Sequence, residues 1–205
     1  GQWSFTIEAV SQNPTIDPMG FSRAELESFV GATVPDLVGP RITLLFVGIN
    51  PGLWTAATQT HFAHPGNRFY PALLAAGVID HPIDRGRGMT DDDRRHLIDR
   101  GVGITNVVHR ATAKASELTA AELRSGGEQL RATVREYAPA VVAFAGITAY
   151  RTAFGRPKAS MGEQSEPFEG ARLFVVPNPS GLNAHETVES LSTAYREPAV
   201  AAGIV

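Results

Sequence analysis

The chain has 205 residues, 43% hydrophobic and 19% charged, which suits one soluble domain with a full core. It contains no cysteine, which excludes a disulfide framework, a thiolate metal site and a cysteine-ligated iron–sulfur cluster. The net charge of −3 counts mildly against a nucleic-acid binder, yet a small footprint needs only a few local cations or backbone N–H groups on phosphates.

Residues 1–20 show no period and read as a loose leader, with a single domain over 21–205. A first helix is expected over Ser22–Phe29, with Ser22 as cap and Glu25 at the capping-box spacing. Four apolar runs follow, Ile42–Val47, Val102–Val108, Ala140–Ala145 and Leu173–Val176, and read as strands. Helices are expected between and after them, over Arg68–Ala76, Asp91–Asp99, Ala120–Tyr137, Thr148–Phe154 and His185–Ala201. Thr119 and Glu122 form a second capping box, Pro139 closes the long helix, and Pro198 is placed to end or kink the last one. Segment His81–Thr90, with Gly86 and Gly88, reads as a surface loop. The alternation predicts an α/β fold, a three-layer αβα sandwich around a short, mainly parallel sheet.

Two of the runs end in turns of one design. Gly48-Ile49-Asn50-Pro51-Gly52 follows the first strand, and Pro177-Asn178-Pro179-Ser180-Gly181-Leu182-Asn183 follows the last. Carboxyl ends of strands are where open α/β sheets bind ligands. Pro51 stiffens the first turn, and the flanking glycines allow close backbone approach. Asn50 either bonds only its own loop or presents its carboxamide to a water or a ligand edge. Phe62, before the Pro65-Gly66 turn, offers an aromatic face to a flat base or joins the core with Phe69 and Tyr70. Leu182 is either a wedge entering a base stack or a staple on the final helix. Ser180 and Asn183 bond phosphates or cap that helix. His61 and His64 lack a third ligand at helical spacing, and no metal or other cofactor is expected.

The three motifs Gly48-Ile49-Asn50-Pro51-Gly52, Phe62-Ala63-His64-Pro65-Gly66-Asn67-Arg68-Phe69 and Asn178-Pro179-Ser180-Gly181-Leu182 together resemble the mismatch-specific uracil-DNA glycosylase family, which includes thymine-DNA glycosylase. The resemblance runs from about Arg41 to Tyr195. It implies that Asn50 positions the attacking water, that the backbone of Ile49 contacts the flipped base and that Phe62 stacks on it. Thr55 and Ala56 then line the pocket near C5 of the pyrimidine. Asn178 and Ser180 lie near the target nucleotide and its phosphate, with Asn183 beside them. Gly181 and Leu182 form the wedge opposite the widowed guanine. The chain departs from the family pattern at Asn106, where a Lys is usual, at Ala184, where an Arg is usual, and at Thr55, where a Ser is usual.

The expected activity is monofunctional, hydrolytic excision of uracil and related damaged pyrimidines from mismatched duplex DNA. The expected partner is double-stranded DNA with a G·U or related mismatch, bound by a monomer. Asp91, Asp92 and Asp93 compete with Asn50 for the role of base, although acids there also suit a helix start. A non-catalytic lesion binder on the same fold is the alternative. A nucleotide-using small-molecule enzyme is disfavoured, since G-x-G-x-x-G and the P-loop pattern are absent. No run nears the ~20 apolar residues of a membrane span, and no secretory pattern opens the chain, so a cytoplasmic protein is expected.

Overall fold

Runs of Val, Ile, Leu and Phe leave no polar face, so the strands they form must be covered on both sides. β1 spans Leu44–Gly48, β2 Val102–Asn106, β3 Val141–Ala145 and β5 Arg172–Val176, and these four pair in parallel with one another. β4, Gly162–Glu163, adds a short antiparallel edge against Phe174 and Val175, giving the order β2-β1-β3-β5-β4. The structure, a computed structural model, describes residues 20–205, so the expected leader lies, Gly20 apart, outside the described residues.

The helices are α1 (Arg23–Glu27), α2 (Leu53–Thr58), α3 (Phe69–Ala75), α4 (Asp91–Asp99), α5 (Ala120–Tyr137), α6 (Ile147–Phe154) and α7 (Val188–Ala201). Side-chain alternation divides the core. Leu44, Phe46, Ile104 and Val141 face Leu73 of α3, Leu97 of α4 and Leu191 of α7. Leu45, Val47, Val142 and Phe144 face Leu130 of α5 and Tyr150 of α6. The result is the expected three-layer α/β sandwich with a mostly parallel sheet. Among the described residues no helix is long and apolar enough to cross a membrane.

The chain punctuation explains most boundaries. Thr90 with Asp93 caps α4, and Thr119 with Glu122 caps α5, each as a full capping box. α5 ends at Ala138 in the left-handed region (φ 47°), just before Pro139. α7 starts later than the sequence suggests, because Thr187 caps it with Ser190. It also runs through Pro198 to Ala201. In the last turn a proline forfeits a single donor, and here its own carbonyl still accepts from Ala202 N at 2.9 Å. β2 stops at Asn106, short of Val108, but Val107 N and Val108 N keep donating to the Gly48 and Ile49 carbonyls at 3.0 Å each. That continuation steers the chain after β2 alongside the Asn50 turn.

The sheet order creates a switch point. From β1 the chain crosses to β2 on one side, and from β3 it crosses to β5 on the other. The carboxyl ends of β1 and β3 therefore open a crevice between diverging connections, the usual ligand position in such sheets.

Candidate active site

The loops after β1, β3 and β5 meet at that crevice. A side-chain carbon built on Gly146, just past β3, would lie 3.4 Å from Ile49 Cδ1 and 3.9 Å from Asn178 Nδ2. The two stiff turns noted in the sequence thus converge on one point. Asn178 Oδ1 accepts from Ser180 N at 2.9 Å, which fixes its amide orientation. Its Nδ2 has no acceptor among the described residues and stays available as a donor toward Ile49 and Gly146.

Asn50 is anchored through its nitrogen. Nδ2 donates to Thr112 Oγ1 at 2.8 Å, Arg110 O at 3.0 Å and Pro51 O at 3.2 Å. The Thr112 hydroxyl proton is spent on Lys114 O at 2.8 Å, so toward Asn50 its oxygen only accepts. Two carbonyls and a committed hydroxyl admit no other amide orientation. Among the described residues Oδ1 has no protein donor, and it is not among the sealed, unpartnered atoms, so water reaches it. The loop-bonded reading of Asn50 accounts for one end of its amide, and the other end faces outward. The Arg110 guanidinium is itself held by Glu122, at 2.6 and 2.9 Å, and lowers that carboxyl to about 2.

Phe62 is an outlier. Its φ is 57°, a left-handed conformation that costs a bulky residue roughly 1–2 kcal/mol. Its neighbours hold it there. His61 O accepts from Tyr70 Oη at 2.6 Å, and Ala63 N donates to Thr55 Oγ1 at 3.4 Å. One face of the Phe62 ring stacks on Phe69, with centroids 4.1 Å apart, and the residue as a whole is only half-buried. Phe62 therefore joins the core through the face that meets Phe69. Its backbone N–H finds no acceptor among the described residues. The ring edge crosses the end of β1, where a side-chain carbon on Gly48 would sit 3.3 Å from Phe62 Cζ and 2.6 Å from Asn106 Oδ1. Only glycine admits that closure.

Asn106 stands at the end of β2, where the resemblance leads one to expect a lysine, and a buried histidine fixes it. His61 Nε2 lies 2.8 Å from Pro35 O, which only accepts, so Nε2 carries the proton. Nδ1 is then an acceptor and takes Asn106 Nδ2 at 3.3 Å. Asn106 Oδ1 is left over, beside Gly48 and the Phe62 ring. Burial lowers the His61 pKa, outweighing the raising influence of Pro35 O and Asp36. In the unfolded chain His61 titrates near 6.5, while in the fold it stays neutral to lower pH. Its contribution to stability is complete above that value and falls as the pH drops below it, because only the unfolded chain takes up the proton. His61→Gln keeps one donor for Pro35 O and one acceptor for Asn106. It is expected to lose less stability than wild type between about pH 7 and about pH 5. Urea denaturation across that range checks this, and parallel losses in the two proteins would contradict it.

The second turn is braced from outside. Arg68 N donates to Pro179 O at 3.0 Å. Arg68 Nη2 donates to Ser180 O at 2.7 Å and Asn183 O at 2.8 Å, and Nη1 donates to Glu186 O. Its buried Nε has no partner among the described residues. Within the turn Ser180 Oγ accepts from Leu182 N at 3.2 Å, and Asn183 Nδ2 donates to Asn178 O at 3.1 Å. Ser180 and Asn183 thus shape the turn and do not cap α7. A side-chain carbon on Gly181 would come within 2.7 Å of Gly66 O, so glycine permits the two loops to touch. Leu182 is 87% exposed at the tip and does not staple α7.

The remaining sequence candidates lie further in. Thr55 is buried and tied to Ala63 N, and Ala56 packs with Val34 and Ala111 in a small cluster below α2. Of the acidic run, Asp91 and Asp92 are exposed at the start of α4. Asp93 is committed on both oxygens, to Thr90 N at 3.0 Å and His81 Nε2 at 2.9 Å. Thr112 and Arg68 carry much of the site's geometry and had no assigned role from sequence, and His61, for which a surface or capping role was expected, is instead buried. They act through backbone groups and ring tautomers, which no spacing pattern displays.

Residues 35–201 match the family described as the Uracil DNA glycosylase superfamily. The chain belongs to the uracil-DNA glycosylase superfamily. A solved structure with the same fold is the solution NMR structure of a candidate uracil DNA glycosylase from Methanosarcina acetivorans. It is 18% identical, with a TM-score of 0.56, and the match covers 85% of this chain and 98% of that one.

Proposed function

We propose that this protein is a monofunctional DNA glycosylase that flips uracil out of a mismatched duplex and hydrolyses its N-glycosidic bond. The observation that carries the reading is Asn50, whose amide nitrogen is locked by three acceptors while its oxygen stays open to water. A glycosidic carbon is shielded in the duplex, so the nucleotide must turn out to be reached. G·U pairs open at lower cost than matched pairs, which favours mismatches.

In the proposed reaction the C1′–N1 bond breaks with its electron pair leaving on the base, and positive charge develops on the sugar. A water hydrogen-bonded to Asn50 Oδ1 adds its oxygen to C1′, and its proton passes to solvent or the departing base. Asn50 is too weak a base to drive the step, so its contribution is positional. Uracil offers an acceptor–donor–acceptor edge of O2, N3–H and O4. The free N–H groups of Phe62 and Asn178 Nδ2 suit the oxygen that gathers negative charge, and Asn106 Oδ1 suits N3–H. Phe62 and Ile49 flank the ring, and Thr55 supports the Phe62 loop from beneath. The free Ser180 hydroxyl proton is available to a phosphate, and Leu182 fills the vacated stack.

Excision should follow leaving-group acidity, with 5-fluorouracil and uracil ahead of thymine. No lysine takes part, so borohydride should trap no enzyme–DNA adduct, and a trapped adduct would refute the hydrolytic scheme. A panel of duplexes with varied lesion and opposite base, cleaved with alkali after incubation, tests the activity itself. Binding without alkali-labile sites would favour the non-catalytic alternative. Leu182→Ala should lower excision from a G·U duplex by about tenfold or more, in line with the few kcal/mol of unstacking the wedge offsets. Excision from single-stranded DNA should stay near wild type. Equal losses on both substrates would remove the wedge from the account.

A further inference from the structure

Outside the crevice, the segment after α3 brings together Asp80 and His81 with His96 from the last turn of α4. One donor atom from each lies within 4.8 Å of the others. Asp80 Oδ1 is 2.6 Å from His81 Nδ1 and 3.4 Å from His96 Nε2. The two imidazole rings are 4.7 Å apart. We propose that Asp80, His81 and His96 form a structural Zn²⁺ site, completed by water.

Three arguments support it. Tetrahedral zinc with bonds of ~2.0–2.1 Å sets its donor atoms roughly 3.3 Å apart, so small side-chain rotations convert this group into a ligand set. The remaining nitrogen of His81 is held by Asp93 Oδ1 at 2.9 Å, and Asp93 is held in turn by the Thr90 cap. A carboxylate behind a liganding imidazole is the outer-shell arrangement that orients such ligands. Two imidazoles with one carboxylate suit zinc, whereas Mg²⁺ and Ca²⁺ require oxygen donors.

The site would staple the 80–90 segment to α4. Farther along that segment, Arg85 Nη2 donates to Pro65 O at 2.6 Å, and Met89 N donates to Thr60 Oγ1 at 2.9 Å. The staple therefore braces the loop that carries Phe62 without contributing to the reaction, and it does not depend on the glycosylase reading.

The test is calorimetric titration of tag-free, chelator-treated protein with ZnCl2, with MgCl2 as the control and Co²⁺ absorption as a report of tetrahedral geometry. One Zn²⁺ per chain is expected, with a raised Tm and no response to Mg²⁺. His96→Ala should abolish binding. Asp93→Asn should weaken it about 10–100-fold. The Asp80 side chain is 78% exposed, so Asp80→Asn should leave the fold intact, and it should weaken binding by about tenfold or more. No saturable Zn²⁺ binding by the folded wild type, or equal affinity in wild type and Asp80→Asn, would overturn the proposal.

Discussion

Replacing Asn50 by alanine is expected to slow single-turnover excision by about 10²–10⁴-fold while leaving duplex affinity close to wild type. The asymmetry follows from the site. Asn50 Nδ2 is consumed by Pro51 O, Arg110 O and Thr112 Oγ1, so the side chain has only its oxygen to offer. The proposed DNA grip comes from other groups, among them Leu182, Ser180 and the Phe62 ring. Thr112→Val separates position from presence. It keeps Asn50 but removes one anchor, worth about 1 kcal/mol or roughly a fivefold slower rate. Applied on top of Asn50→Ala it should do nothing further, since the amide it orients is gone. Quenched-flow excision of a G·U duplex, with binding measured separately, reads all three variants. Normal excision by Asn50→Ala would show that another group places the water.

Arg68→Met should be the most damaging change remote from the chemistry. One guanidinium closes on the carbonyls of Ser180, Asn183 and Glu186, and the Arg68 backbone N–H takes Pro179 O. Removing the head group strips charge-assisted donors from three carbonyls of one turn. At about 1.5 kcal/mol or more for each bond, the local loss is of order 3 kcal/mol after partial rehydration. The turn that carries Leu182 would then lose its fixed geometry. Duplex excision should fall with Tm, and Arg68→Lys should rescue little, because one ammonium cannot reproduce the planar fork. A lowered Tm with unchanged duplex excision would show that the turn needs no brace.

The fold was legible because the strands are uninterrupted apolar runs between capped helices. α4 and α5 have the expected limits, since Thr90 with Asp93 and Thr119 with Glu122 mark their starts and Gly or Pro follows their ends. α2 escaped notice because it is six residues long and its N-cap, Gly52, has no side chain to cap it. β4 escaped because two residues carry no period. α7 reaches the expected Ala201 without ending at Pro198, because a proline in a final turn removes one bond only. At the candidate site, Asn50, Phe62, Asn178 and Leu182 could be picked out through stiff flanking residues and through resemblance. Ala56 did not reach the crevice surface, since α2 turns it toward Val34 and Ala111. His61 and Thr112 were invisible as site residues. Their effect depends on which nitrogen holds a proton and where a hydroxyl points: Pro35 O, distant in sequence, sets the first, and Lys114 O sets the second, which leaves the Thr112 oxygen to accept from Asn50.

The most direct measurement is a crystal structure with duplex DNA carrying a 2′-fluorinated deoxyuridine opposite guanine, in which the fluorine disfavours positive charge on the sugar and preserves the bond. The expected result has the uracil everted beside the Phe62 ring, Leu182 in the gap, and an ordered water between Asn50 Oδ1 and C1′. A uracil still stacked in the helix, or bound with no water on Asn50 Oδ1, would contradict the account.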